Sequence, residues 1–103
     1  MSTAGDRRNV ANKQFWDLYR ALPKVTRDMA RGAFRLFLAN PMHPSLRNHP
    51  LHASRRGKHA AKSRSVSISM QYRAIYVPVG DVNLWYWIET HAAYNLFLGK
   101  AES

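Results

Sequence analysis

The chain has 103 residues, with 16 Lys and Arg against 6 Asp and Glu and no cysteine. That length makes one domain, able to bury about two-thirds of its unfolded surface, and 46% hydrophobic residues supply one core. The missing cysteine excludes a disulfide framework, a thiol nucleophile and a thiolate zinc site, and no apolar run approaches the ~20 residues of a membrane-spanning helix.

Residues 1–11 are small and polar, the pattern of a flexible N-terminus, and the single domain is expected over 12–103. The start, Met1 to Arg8, has no apolar stretch of the secretion-signal kind, so the cytoplasm is the expected setting. From Asn12, Phe15, Leu18, Tyr19 and Leu22 recur at helical spacing. Leu22-Pro23 ends that helix, because the residue before proline avoids the helical region, and Pro23 suits the start of a second helix. Along the second, Val25, Met29, Ala33, Leu36 and Phe37 form the apolar stripe, and Asn40-Pro41 stops it. The two read as a helical hairpin.

Residues 41–63 are broken by Pro41, Pro44, Pro50 and Gly57, with Leu46 and Leu51 placed to anchor a short strand between them. The run His52 to Ser63 is polar, basic and structurally undemanding. Then the period changes. Val66, Ile68 and Met70 alternate with Ser65, Ser67 and Ser69, which predicts a strand with one buried face. Tyr72 to Val77 predicts a second strand and Pro78 to Asp81 a turn. Val82 to Ile88, with Trp85, Tyr86 and Trp87, is apolar almost throughout, as in a strand covered on both faces. His91 to Gly99 suits a short helix with Tyr94, Phe97 and Leu98 turned inward. The expected fold class is α+β: an N-terminal helical hairpin packed on a small antiparallel sheet, with a short C-terminal helix.

The charge is unevenly spread. Between Asp28 and Asp81 there is no carboxylate, yet Arg31, Arg35, Arg47, Arg55, Arg56, Lys58, Lys62, Arg64 and Arg73 all fall there. A lone charge run is usually a solvated face. Half a small domain without one carboxylate attracts polyanions, because neutralising phosphates releases their counterions. An acidic protein segment satisfies the same electrostatics. His43, His49, His52 and His59 raise the question of a metal. Their spacing fits neither a helix-face nor a finger pattern, and no cysteine or carboxylate accompanies them, so no metal is expected.

Four segments in order carry a resemblance: Phe15 to Pro23 (Phe-Trp-x-Leu-Tyr-x-x-Leu-Pro), Asn40 to Arg47 (Asn-Pro-x-His-Pro-Ser-Leu-Arg), Tyr72 to Ala74 (Tyr-Arg-Ala), and Trp85 to Tyr94 (Trp-x-Trp-Ile-x-x-His-x-x-Tyr). Together they resemble the RelE/ParE superfamily of bacterial toxins from type II toxin–antitoxin systems, over about residues 12–98. The resemblance implies the RelE/ParE-like fold, no cofactor, and an acidic antitoxin as partner. It also implies a ribosome-dependent mRNA endonuclease, a metal-independent enzyme in which the substrate 2′-hydroxyl attacks the adjacent phosphate. The same fold serves toxins that inhibit a protein target such as DNA gyrase, and fold alone does not decide between them. A plain RNA-binding module is a third reading.

Within that resemblance Arg73 matches the arginine of the Tyr-Arg pair, and a guanidinium fork fits a phosphate oxygen pair. His91 and Tyr94 match the His-x-x-Tyr after the last strand, and histidine is suited to proton transfer near neutral pH. These three are the candidate catalytic residues. Arg47, Arg55, Arg56, Lys58, Lys62 and Arg64 are the candidate RNA-binding residues, acting collectively on phosphates. Three departures stand out. Ser67 stands six positions before Arg73, where endonuclease-like relatives often carry an arginine. Asn48, His49 and Pro50 replace frequent lysines. Glu89 stands where glycine is common and sets a negative charge beside His91.

Overall fold

The computed structural model describes residues 7–52 and 57–99. In chain order these form β1 (Arg8–Ala11), α1 (Lys13–Arg20), α2 (Lys24–Ala39), a 3-10 turn (Pro44–Leu46), β2 (His49–Pro50), β3 (Arg64–Ser67), β4 (Tyr72–Val79), β5 (Val82–Thr90) and α3 (His91–Phe97). The strands make one sheet in the order β1-β5-β4-β3-β2. Pairing is antiparallel from β2 through β5, and β1 lies parallel to β5.

Local chemistry explains most boundaries. The Asn12 side-chain oxygen accepts the Phe15 amide at 2.9 Å and so caps α1. The Arg27 guanidinium donates to the Leu22 carbonyl at 2.8 Å, which pins the α1–α2 turn. Gly80, first residue of the two-residue loop between β4 and β5, has φ 57°, as hairpin turns twisted with their strands require.

The hairpin α1–α2 covers one face of the sheet. Leu22, Ala30 and Phe37 from the helical side meet Val66, Ala74, Tyr76, Trp85 and Ile88 from the strands. Trp85 is the hub, with its ring centroid 4.6 Å from Tyr76 and 5.1 Å from Phe37; such aromatic pairs add about 0.5–1.5 kcal/mol each beyond burial. The cover is incomplete. A cleft of about 580 Å³ remains between helices and sheet, lined by Trp16, Phe34, Phe37 and Trp85 among others, with Arg31 and Arg35 as its charged residues. On the opposite face, Ile75, Tyr86, Trp87, Tyr94 and Leu98 form a second core under α3.

A β-bulge creates this two-sided arrangement. Ile75 pairs with Trp87 but Tyr76 pairs with Trp85, leaving Tyr86 as the extra residue. Without it, Trp85 and Trp87 would share a face. With it, Trp85 enters the helical core, while Tyr86 and Trp87 both enter the core under α3.

Several expectations are corrected. Residues 8–11, read as part of a loose N-terminus, are an edge strand, which makes the sheet mixed rather than purely antiparallel. Polar side chains hold β1: the Asn9 side-chain oxygen accepts from Trp85 Nε1 at 3.0 Å and from Asn83 Nδ2 at 3.2 Å. The buried stripe of α2 is Thr26, Ala30 and Phe37, not the Val25–Met29 line; Val25 is 70% exposed. β3 stops at Ser67, Met70 is 96% exposed, and Ser65, expected to face solvent, is buried because α3 and the basic loop cover that side. The described part of the loop is itself anchored. Ser63 Oγ and the Tyr86 hydroxyl are 2.6 Å apart, the Ala60 amide donates to the same hydroxyl at 3.0 Å, and the Lys58 amide donates to the Phe97 carbonyl at 2.7 Å.

Candidate functional site

The register of the sheet builds the site. Ser67, Arg73 and Glu89 occupy directly paired positions on β3, β4 and β5, and paired residues point to the same face. That is the face under α3. The start of α3 is fixed beside them: the His91 amide donates to the Gln71 carbonyl at 2.7 Å, and Thr90 Oγ1 caps the helix by accepting the Ala93 amide at 3.2 Å. His91 and Tyr94 are three residues apart and so lie on one side of the helix. Their ring centroids are 5.7 Å apart.

Tyr94 is buried at 2% exposure, packed against Trp87 with ring centroids 6.1 Å apart. The Arg73 guanidinium carbon lies 5.2 Å from the centre of the Tyr94 ring, a cation–π arrangement. The structure therefore brings together Arg73, His91 and Tyr94, the three residues named as catalytic candidates. Arg73 Nη1 is buried and has no hydrogen-bond partner among the described residues. The guanidinium is thus held over an aromatic ring, with a buried N–H that no described residue accepts.

Among the described residues no carboxylate forms an ion pair with Arg73. Among the described residues the four ion pairs all lie on α1 and α2: Asp17 with Lys13 and Arg20, and Asp28 with Lys24 and Arg31. Both carboxyls sit below the ordinary carboxylate range. The main cause is the hydrogen bond from Lys13 on Asp17 and from Lys24 on Asp28. Glu89 faces Arg73 by register, yet none of these pairs includes it, and its Oε1 accepts from the Thr90 amide at 3.1 Å.

The candidate RNA-binding residues are dispersed. Lys58 is exposed, with its backbone held on Phe97, and borders a groove shared with Trp87 and Glu89. Lys62 is exposed, with φ 65°, and so is Arg47, with φ 47° after the 3-10 turn. Arg64 pairs in register with Tyr76, on the helical face, and its Nε donates to the Asn48 side chain at 2.8 Å. It does not join Arg73. Arg55 and Arg56 lie outside the described residues. Ser67, beside Arg73, donates its hydroxyl to the Ser69 carbonyl at 3.2 Å. Among the described residues no group of three or more His, Asp or Glu is placed to hold a metal ion, and no helix is long and apolar enough to cross a membrane.

The sequence reading missed Trp87 and Phe97 as part of this site. Their rings stack at 5.0 Å between centroids with 23° between planes, and only the bulge, invisible in the residue pattern, turns Trp87 to this face.

No family model and no curated protein matches the chain. Solved structures do. YafQ from E. coli strain BL21(DE3) superposes with a TM-score of 0.63 at 22% identity, covering 85% of this chain and 97% of that one. A YoeB/ParE toxin from Agrobacterium tumefaciens gives 0.62 at 17% identity, over 82% and 98%. The archaeal RelE–RelB complex from Pyrococcus horikoshii OT3 gives 0.62 at 15% identity, over 82% and 94%. The chain has the fold of RelE/ParE-superfamily toxins.

Proposed function

We propose that this protein is the toxin of a toxin–antitoxin pair and that it cleaves mRNA on the ribosome without a metal ion. One observation carries the catalytic reading: the Arg73 guanidinium, whose Nη1 has no partner among the described residues, lies over the buried Tyr94 ring with His91 on the same side of α3. Arg73 binds the scissile phosphate and stabilises the charge that grows on it as the substrate 2′-hydroxyl attacks. The 2′-hydroxyl gives its proton to solvent as its oxygen bonds to phosphorus, the bond from phosphorus to the 5′-oxygen breaks, and His91 delivers the proton that this oxygen needs. Tyr94 positions Arg73 through its ring face. Lys58 and Lys62, with Arg47, Arg55, Arg56 and Arg64, supply the positive field that holds the RNA backbone.

An acidic antitoxin is the partner in the cytoplasm. The similarity to toxin–antitoxin complexes supports it, including the E. coli DinJ–YafQ complex at a TM-score of 0.60 and 23% identity. The cleft beside Trp16 and Phe34 supports it too, since among the described residues its charged lining groups are the cations Arg31 and Arg35.

Ser67 favours a second reading. It places a neutral hydroxyl beside Arg73, so the row Ser67–Arg73–Glu89 holds one cation, and a toxin acting by binding a protein such as gyrase needs no more. The test is brief expression in cells followed by primer extension on transcripts, with ribosome-bound mRNA cleavage by the purified protein alongside. Cuts confined to translated regions are expected. Growth arrest with intact transcripts overturns the nuclease reading in favour of the second.

A further inference from the structure

A groove of about 300 Å³ lies next to Glu89, lined also by Leu18, Lys58, Trp87, Leu96 and Phe97. Among the described residues its charged lining groups are one carboxylate and one ammonium. We infer that this groove is a nucleobase subsite and that Glu89 sets its preference, admitting bases with an exocyclic amine and turning away uracil. The inference rests on the RNA-binding reading above and adds to it a base specificity.

The geometry follows from the sheet. Glu89 is paired directly with Arg73 across β4 and β5, so their Cβ atoms are about 5 Å apart. A phosphate on the Arg73 fork therefore leaves its own nucleoside within reach of the neighbouring strand, where the groove opens. Phe97, half-buried on this side, stacks on the buried Trp87 ring 5.0 Å away, and an aromatic ring is the kind of surface on which a base rests without regard to sequence. Discrimination then falls to the polar rim.

The Thr90 amide holds Oε1 of Glu89 at 3.1 Å and so orients the carboxylate. No described residue donates to the other oxygen, and no ion pair among the described residues neutralises the group. An ionised carboxylate accepts hydrogen bonds and donates none. Adenine, cytosine and guanine each offer amine hydrogens to it. Uracil offers a single N–H between two carbonyl oxygens, which the carboxylate repels. A carboxylate without an ion pair among the described residues, paired in register with Arg73, suits a donor-rich ligand better than an apolar side chain from a protein.

The experiment uses four-nucleotide single-stranded RNAs, 2′-O-methylated so that they bind without being cut. A, C, G or U is varied at each position in turn, and binding to the whole protein is read by fluorescence anisotropy at low salt. At one position the uracil RNA is expected to bind about tenfold more weakly than the other three, the scale of one good base contact. Glu89→Gln, which presents both a donor and an acceptor, is expected to shrink that gap to about threefold or less, with its melting temperature close to wild type. Arg73→Ala weakens all four alike. If the four RNAs bind equally in the wild type while Arg73→Ala weakens them all, Glu89 has no base preference and the RNA-binding reading survives without it. If Glu89→Gln leaves base preference unchanged but alters affinity for an acidic antitoxin, the groove is a partner contact and the inference is overturned. Absence of binding to every RNA overturns both.

Discussion

Replacing Arg73 with alanine separates a residue built for function from one built for stability, because the structure predicts opposite outcomes for the two. On the folded state, the change removes a cation–π contact with Tyr94, worth about 0.5–2 kcal/mol. It also removes a buried N–H that has no partner among the described residues, and relieving such a group returns about 1–3 kcal/mol. The two effects oppose each other, leaving stability within about 1 kcal/mol of wild type, or a melting shift of at most roughly 4–8 °C in a domain this size. Cleavage falls far more: one lost charge-stabilising donor costs about 3 kcal/mol, roughly a hundredfold in rate. Arg73→Lys keeps the charge but not the planar fork, so an intermediate loss is expected. Thermal melting and single-turnover cleavage of ribosome-bound mRNA, on the same preparations, give both numbers. A variant that cuts normally, or one destabilised by more than about 3 kcal/mol, refutes the assignment, since the first needs no arginine at the phosphate and the second marks a structural ion.

His91→Gln should cut about 10²–10⁴-fold more slowly and flatten one limb of the pH–rate profile while still folding; a parallel profile at every pH would remove His91 from the proton transfer. Asn9→Ala should destabilise by about 1–3 kcal/mol in urea unfolding, because the Trp85 and Asn83 donors lose their shared acceptor, and an unchanged midpoint would show β1 to be dispensable. Binding of an acidic antitoxin should weaken steeply as salt rises and the cationic field is screened; indifference to salt would mean that the charge does not recruit it. Asp17 and Asp28 titrate below ordinary carboxylates because Lys13 and Lys24 hydrogen-bond them. Their contribution to stability is therefore present above the unfolded value of ~3.9 and lost as pH falls through the lower folded values. Denaturation midpoints should reflect this loss only below about pH 4, and a carboxylate-dependent loss centred well above that value would point to another group.

Much of the architecture was legible in the chain because it is set locally. Pro23 and Asn40-Pro41 delimit α2, and Asn12 caps α1. The apolar run from Val82 marks a strand covered on both faces, as β5 is. The carboxylate-free stretch from Asp28 to Asp81 is a property of composition, and by itself it points to a polyanion. Arg73, His91 and Tyr94 were singled out through motif resemblance.

What the chain could not display are relations between distant residues. Arg8 and Asn9 look like a solvated end until β5 offers a parallel partner and Trp85 a donor. The α2 stripe is turned from the periodic reading because Thr26 and Ala30, small enough for close approach, face the sheet in place of Val25 and Met29. The bulge at Tyr86 decides that Trp87 faces α3 and so joins the base groove, whereas strict alternation puts it beside Trp85. The same register sets Arg73 between Ser67 and Glu89, and the packing of α3 lays the Tyr94 ring against the guanidinium. Residue types and caps act over a few positions and are read directly. Cross-strand register and helix docking are settled by the whole packed core, and they turned three separate side chains into one site.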